Sequence, residues 1–226
     1  MKKGKLSDRD IRQRDILPPE RLKEISATVI GVGAIGRQCA LQLAAVGVGE
    51  LVLCDPDTVG VENLAAQGFL EEEVGVPKVE AVGALCERMN SQIRINMAQS
   101  LFNRNVPVGD AVFCCVDKID ARKFIFKLIK DKTSFFVDGR MAAETMRILA
   151  TGALEKDAEH YDKTIFDEGE AFQGSCTAKT TIYCANVAAG LMLNCFTQWL
   201  RNIRPPLDFL VNLLSMEIVF PEDLEV

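Results

Sequence analysis

Residues Ala27-Thr-Val-Ile-Gly31-Val-Gly33-Ala-Ile-Gly36 decide the fold. The apolar run Ala27 to Gly31 reads as a buried strand, and Gly33 to Val46 reads as an apolar helix. Between them stand Gly31, Gly33 and Gly36, where missing side chains let a backbone turn tightly and approach phosphates at a helix N-terminus. A second apolar run, Leu51 to Asp55, ends in a carboxylate 19 residues after Gly36. At that distance an acidic side chain accepts ribose hydroxyls. Strand, glycine turn, helix and acid-tipped strand together point to an adenine nucleotide. The glycine pattern alone does not separate NAD from ATP.

Outward from this core, strand and helix patterns alternate. Val76 to Asn90 has apolar residues at Val79, Val82, Leu85, Cys86 and Met89, the spacing of one helical face. Strands are expected near 93–97, 111–116, 134–138, 145–151 and 216–220, and helices over about 121–130 and 180–202. Such alternation predicts a single-domain α/β, Rossmann-type fold, with a mainly parallel sheet and helices on both faces. Residues 1–25 read as a charged arm and short helix closed by Pro18-Pro19, and 26–226 as the domain proper. Residues from about 155 to 178 lack apolar periodicity and read as a long crossing loop. The 21 uncharged residues between Lys179 and Arg201 are long enough to span a bilayer. Their scattered polar residues instead predict a buried core or interface helix.

The formal net charge of −6 argues against a broad nucleic-acid surface. Eight cysteines, mostly in apolar runs, with no Cys-x-x-Cys pair and a charged N-terminus, predict free thiols in the cytoplasm and no structural zinc. His160, within Glu159-His160-Tyr161, reads as a surface residue.

Further motifs separate the ligands. Asp55-Pro-Asp57-Thr-Val59 is followed by Asn63-Leu64-Ala-Ala-Gln67, then by Val74-Gly75-Val-Pro77-Lys78 and by Asn90. Asp110-Ala-Val-Phe-Cys-Cys-Val-Asp117 precedes Arg122. In this order and spacing, over roughly residues 12 to 200, the chain resembles the ThiF/MoeB/HesA family, which includes the ubiquitin-activating enzymes. The resemblance implies ATP-dependent adenylation of the C-terminus of a ubiquitin-like or sulfur-carrier protein ending in Gly-Gly. It implies that Asp55 holds the ribose, that Asn63 and Gln67 line the phosphate pocket with Asp57 beside them, and that Lys78 contacts phosphates. Asp117 would place Mg²⁺. Arg14, in Gln-Arg14-Asp-Ile-Leu, is similar to an arginine that reaches a partner subunit's nucleotide, which implies a homodimer. One departure stands out: the family's arginine before Gln67 is Ala66 here. Arg140, in Val-Asp138-Gly139-Arg140-Met, is the first substitute the sequence offers.

Some alternatives stay open. Cys176, in Gln-Gly174-Ser-Cys176-Thr, is either a nucleophile that takes the acyl group or an inert thiol. Cys114 and Cys115 read as packing, and Arg122 as either part of the site or an exposed helix charge. A nucleotide-binding docking module without catalysis, suggested by Ala66, and an NAD-dependent oxidoreductase are the rival functions.

Overall fold

The computed structural model describes residues 9–152, 155–165 and 181–221. Turns over 9–16 lead into helix α1 (Pro19–Glu24). The proline pair opens this helix rather than closing it: the φ fixed by a proline ring is already helical, and an N1 amide has no intrahelical acceptor to lose. The arm is pinned to the molecule by Gln13, whose Nε2 donates to the Val46 carbonyl at 3.0 Å, and by Arg9, which donates to Ala45 at the same distance.

Strand β1 (Ser26–Ile30), helix α2 (Ala34–Val46) and strand β2 (Glu50–Cys54) form the first crossover unit. Helix α3 (Asn63–Gln67), helix α4 (Lys78–Met89) and strand β3 (Arg94–Ala98) follow. Then come strand β4 (Ala111–Cys114), helix α5 (Ile119–Ile129), strand β5 (Phe135–Ala142) and strand β6 (Thr145–Thr151). Helix α6 (Glu155–Lys163), helix α7 (Ile182–Leu200) and strands β7 (Asp208–Asn212) and β8 (Glu217–Val219) complete the described chain.

All eight strands share one sheet in the order β3-β2-β1-β4-β5-β6-β7-β8. The pairs from β3 to β5 are parallel, and those from β5 to β8 antiparallel. Strands β1, β2 and β4 are buried nearly end to end, as parallel strands covered on both faces must be. One face packs α2, α4 and α7 around Leu43, Val82, Phe113 and Phe196. The other packs α5 and α6 around Phe126, Phe136 and Tyr161. The expected α/β, Rossmann-type architecture is what the chain adopts.

Three expectations need correction. The first part of the supposed loop, Glu155 to Lys163, is helix α6; its few apolar positions include Tyr161, fully buried against Phe126 and Phe136. Strand β7 was not anticipated. Strand β5 runs on to Ala142 because β6 doubles back along it. The uncharged segment does form a buried helix, α7, with Cys184, Ala188, Met192 and Phe196 inside. Among the described residues no helix is long and apolar enough to cross a membrane.

Candidate functional site

The parallel strands end in one register row. Ala98, Cys54, Ile30, Cys114 and Asp138 lie side by side across β3, β2, β1, β4 and β5. The order reverses between β1 and β4, the crevice where ligands of open α/β sheets bind. The residues just beyond the row therefore share one edge: Gly31, Asp55, Cys115 and Gly139.

The glycine turn is shaped by close backbone approach. Gly31 has φ +82°, and a Cβ there would lie 2.9 Å from the Cys115 carbonyl. A Cβ on Gly36 would lie 1.8 Å from the Gly31 carbonyl, so no larger residue fits without opening the turn. Gly33 precedes the first turn of α2 and faces Gln67, whose Oε1 would be 3.4 Å from a Cβ on it.

Asp55 ties this turn to β2. One carboxylate oxygen accepts the Val32 N–H at 2.8 Å and the other the Asp57 N–H at 2.9 Å. Burial pushes the Asp55 carboxyl up, against those two hydrogen bonds and the attraction of Lys78. Each oxygen keeps a lone pair, so ribose hydroxyls can still donate to it. Lys78 opens α4; its Nζ lies 3.0 Å from Asp57 Oδ2, and the residue is only 6% exposed. Asp57 thus links Lys78 to Asp55, and Asp55 to the glycine turn. Asn63 is buried at the start of α3, its Oδ1 accepting the Gly60 N–H at 2.9 Å. Gln67 ends that helix with its Oε1 buried and unpartnered among the described residues.

Asp117 stands exposed in the β4–α5 connection, two residues past the Cys115 carbonyl that abuts Gly31. Arg122 behind it is no exposed helix charge. It is buried, pairs with Asp138, and donates to the carbonyls of Val116 and, at 3.2 Å, Gly139. Its guanidinium thereby fastens the Asp117 loop to β5. Arg140 donates through Nε to Asp138 at 2.8 Å and to the backbone and hydroxyl of Thr164 at 2.8 and 3.0 Å. Tyr161 donates to the same Asp138 at 3.0 Å. Arg140 therefore sits at the right sheet edge but is turned onto its own network, which removes the charge expected to replace Ala66.

Arg14 lies elsewhere. Its neighbour Gln13 binds the C-terminal end of α2, a 13-residue helix about 20 Å long whose other end carries the glycine turn. His160 is not a bare surface residue: Nε2 sits 2.9 Å from Asp208 Oδ2, and Arg147 Nε donates to the other oxygen at 2.8 Å. Cys176 lies outside the described residues. Cys114 and Cys115 are packing residues, as expected; burial pushes the Cys114 thiol up to about 11 and raises Cys115 as well, with Cys39 adding to the latter.

Sequence reasoning missed Arg37, on the first turn of α2. It is 6% exposed, its guanidinium lies 5.1 Å over the Phe69 ring, and its Nε has no hydrogen-bond partner among the described residues. The available signal was that it is the sole charge in the helix Ala34–Val46.

A glycine turn at a strand-order reversal, backed by a carboxylate and a lysine, defines an α/β nucleotide site. The comparisons narrow the class. The ThiF family matches residues 8–222, and the chain belongs to that family. The molybdopterin-synthase adenylyltransferase of Haemophilus influenzae is 32% identical over 109 residues, covering 46% of this chain and 45% of its own length. Ubiquitin-like modifier-activating enzyme 5 of Drosophila persimilis is 26% identical over 140 residues, 54% of this chain and 36% of its own. The chain spans about half or less of the length of these curated relatives. Among solved structures, E. coli MccB superposes with a TM-score of 0.78 at 18% identity, over 96% of this chain and 70% of that one.

Proposed function

We propose that this chain binds ATP at the glycine turn and adenylates the C-terminal carboxylate of a ubiquitin-like or sulfur-carrier protein. The observation that carries this reading is the single sheet edge on which Gly31, Asp55, Lys78 and Asp117 converge. Relatives named as a molybdopterin-synthase adenylyltransferase and a modifier-activating enzyme support it, and a protein of similar fold, MccB, has been crystallised with ATP.

In this mechanism the backbone amides at the start of α2 face the phosphates, and Asp55 orients the ribose. Lys78, released from or shared with Asp57, offsets charge on the phosphates. The carrier's carboxylate oxygen attacks the α-phosphorus. The bond from that phosphorus to the bridging oxygen breaks, and pyrophosphate leaves with the bonding pair. Among the described residues no group of three or more acidic, cysteine or histidine side chains forms a metal cage. Mg²⁺ is held by one or two carboxylates together with phosphate oxygens. Asp117, exposed beside the turn, is the carboxylate that would hold it, and the ion would supply charge neutralisation on the leaving group.

Three finer assignments go with this reading. Arg14 serves the site of a second copy in a homodimer, since it lies at the far end of α2 from its own turn. After adenylation the Cys176 thiolate attacks the acyl carbonyl carbon, the carbonyl–oxygen bond to the phosphate breaks, and AMP leaves as the thioester forms. The protein works in the cytoplasm, where its seven described cysteines, all free, stay reduced.

Carrier-dependent exchange of labelled pyrophosphate into ATP tests the reaction, using purified small carriers that end in Gly-Gly. Wild type should exchange, and Asp117→Ala and Lys78→Met should each lose roughly 100-fold or more. A wild type that binds ATP yet exchanges with no carrier would support instead the docking-module reading that Ala66 suggests. Cys176→Ala should keep exchange and lose any thiol-sensitive conjugate on a non-reducing gel.

A further inference from the structure

We propose that Arg37 is a phosphate-binding residue, the buried cation without a counter-charge among the described residues of the nucleotide pocket. This deepens the reading above and rests on it, because it names what supplies positive charge to the triphosphate.

Arg37 is poorly accommodated where it stands. A guanidinium stays charged at every working pH. Arg37 nevertheless is 6% exposed, and no carboxylate among the described residues lies within ion-pair distance. The acid that attracts it most, Glu73, accepts the Leu70 N–H at 2.7 Å. Burial depresses the protonated form of Arg37, which is the direction an uncompensated buried cation must take. Leaving such a charge unpaired is strongly unfavourable, and stacking on Phe69 offsets only part of that cost.

Helix polarity makes the position worse. Arg37 is the fourth residue of α2, at the end that carries about half a positive charge. A cation there is repelled by the same amides that attract an anion. Dielectric and dipole both disfavour Arg37 in isolation, and both penalties are relieved by one event, the arrival of an anion at the head of α2.

The surroundings agree. An ideal Cβ on Gly68 would lie 3.5 Å from one Arg37 terminal nitrogen, so the guanidinium lies along residues 67–69, and Gln67 in turn packs on Gly33 of the turn. Gln67 Oε1 is a second buried polar atom in this corner without a partner among the described residues. Side chains on a helix lean toward its N-terminus, which carries the reach of Arg37 toward the turn. Of the other cations of the edge, Arg122 and Arg140 are committed to Asp138, and Lys78 shares its charge with Asp57. A bound triphosphate needs more positive charge than a paired lysine gives.

Calorimetric titration of the full chain with Mg-ATP, AMP and adenosine tests this. Arg37→Met, which keeps the bulk of the side chain over Phe69, should weaken ATP binding roughly 10- to 100-fold and leave adenosine binding unchanged. Arg37→Lys, which keeps the charge but not the planar fork, should fall between Met and wild type. Thermal melts should show Arg37→Met at least as stable as wild type, since an unpaired buried charge is removed. ATP affinity of Arg37→Met within twofold of wild type, or an equal loss for adenosine and ATP, would overturn the proposal. Arg37-dependent ATP binding in a wild type that shows no carrier-dependent exchange would sink the adenylation reading and leave this assignment standing.

Discussion

The two halves of the sheet use charge in opposite ways. In the antiparallel half, buried acids are saturated by the protein itself. Asp138 takes Arg122, Arg140 and Tyr161; Asp208 takes Arg147 and His160; Asp157 takes Arg204 and the Gly152 N–H. In the parallel half, polar groups at the strand ends are left partly open: Asp117 is exposed, Arg37 Nε and Gln67 Oε1 lack partners among the described residues, and Lys78 pairs there with one carboxylate that is itself largely solvated. The difference separates scaffold from site. Charges that satisfy each other fix one packing arrangement, whereas charges left open await a ligand.

Breaking the closed network should cost the most. Asp138→Ala leaves Arg122 buried with no counter-charge and frees α6 from β5, so unfolding free energy in urea should fall by about 3–5 kcal/mol. A loss under about 1 kcal/mol would show that the network is not the clasp it looks like. Gly36→Ala comes next. Its Cβ meets the Gly31 carbonyl at 1.8 Å, so the turn must open, at a cost of about 1–3 kcal/mol together with loss of ATP binding by calorimetry. Asp117→Ala should sit at the other extreme of stability, within about 0.5 kcal/mol of wild type, while losing pyrophosphate exchange. If Asp117→Ala were as destabilising as Asp138→Ala, the contrast between the halves would fail.

The same contrast explains what the sequence made legible. The parallel half announces itself locally: apolar runs, glycines and Asp55 fall within thirty residues, so strand–turn–helix and the acid at the end of β2 are readable without knowing the fold. Lys78 and Asp117 were reachable through ordered motifs. The antiparallel half is built from long-range polar pairs. His160 finds Asp208 48 residues away, and α6 is held by Tyr161, Thr164, Asp157 and His160 rather than by an apolar stripe. A search for apolar periodicity therefore reads that helix as loop. Strand β7 was hidden for a related reason, since it opens with Asp208, whose burial makes sense only beside Arg147. The surroundings of Arg37 and Arg140 were not readable in the sequence because a side chain's partners, unlike its position along the chain, are set by packing.

A pH titration sharpens the comparison with the smallest effect and opposite signs. Asp55, raised by burial, binds its proton more tightly in the folded chain than the ordinary aspartate value of 3.8 allows. Burial pushes Asp208 up too, but hydrogen bonds from Arg147 and His160 outweigh it and leave the carboxyl lowered. By linkage, stability changes with pH according to which state holds more protons. Around Asp208 the unfolded chain holds more, so its contribution is present above about pH 4 and is lost as pH falls through the folded value. Around Asp55 the folded chain holds more, so its contribution runs the other way and stability falls as pH rises through its raised value. Carboxyl-carbon NMR should place the two midpoints on opposite sides of 3.8, and Asp208→Asn should flatten the acid limb of the unfolding profile. Two midpoints on the same side would mean that the sheet's two ends do not differ in how they settle their charges.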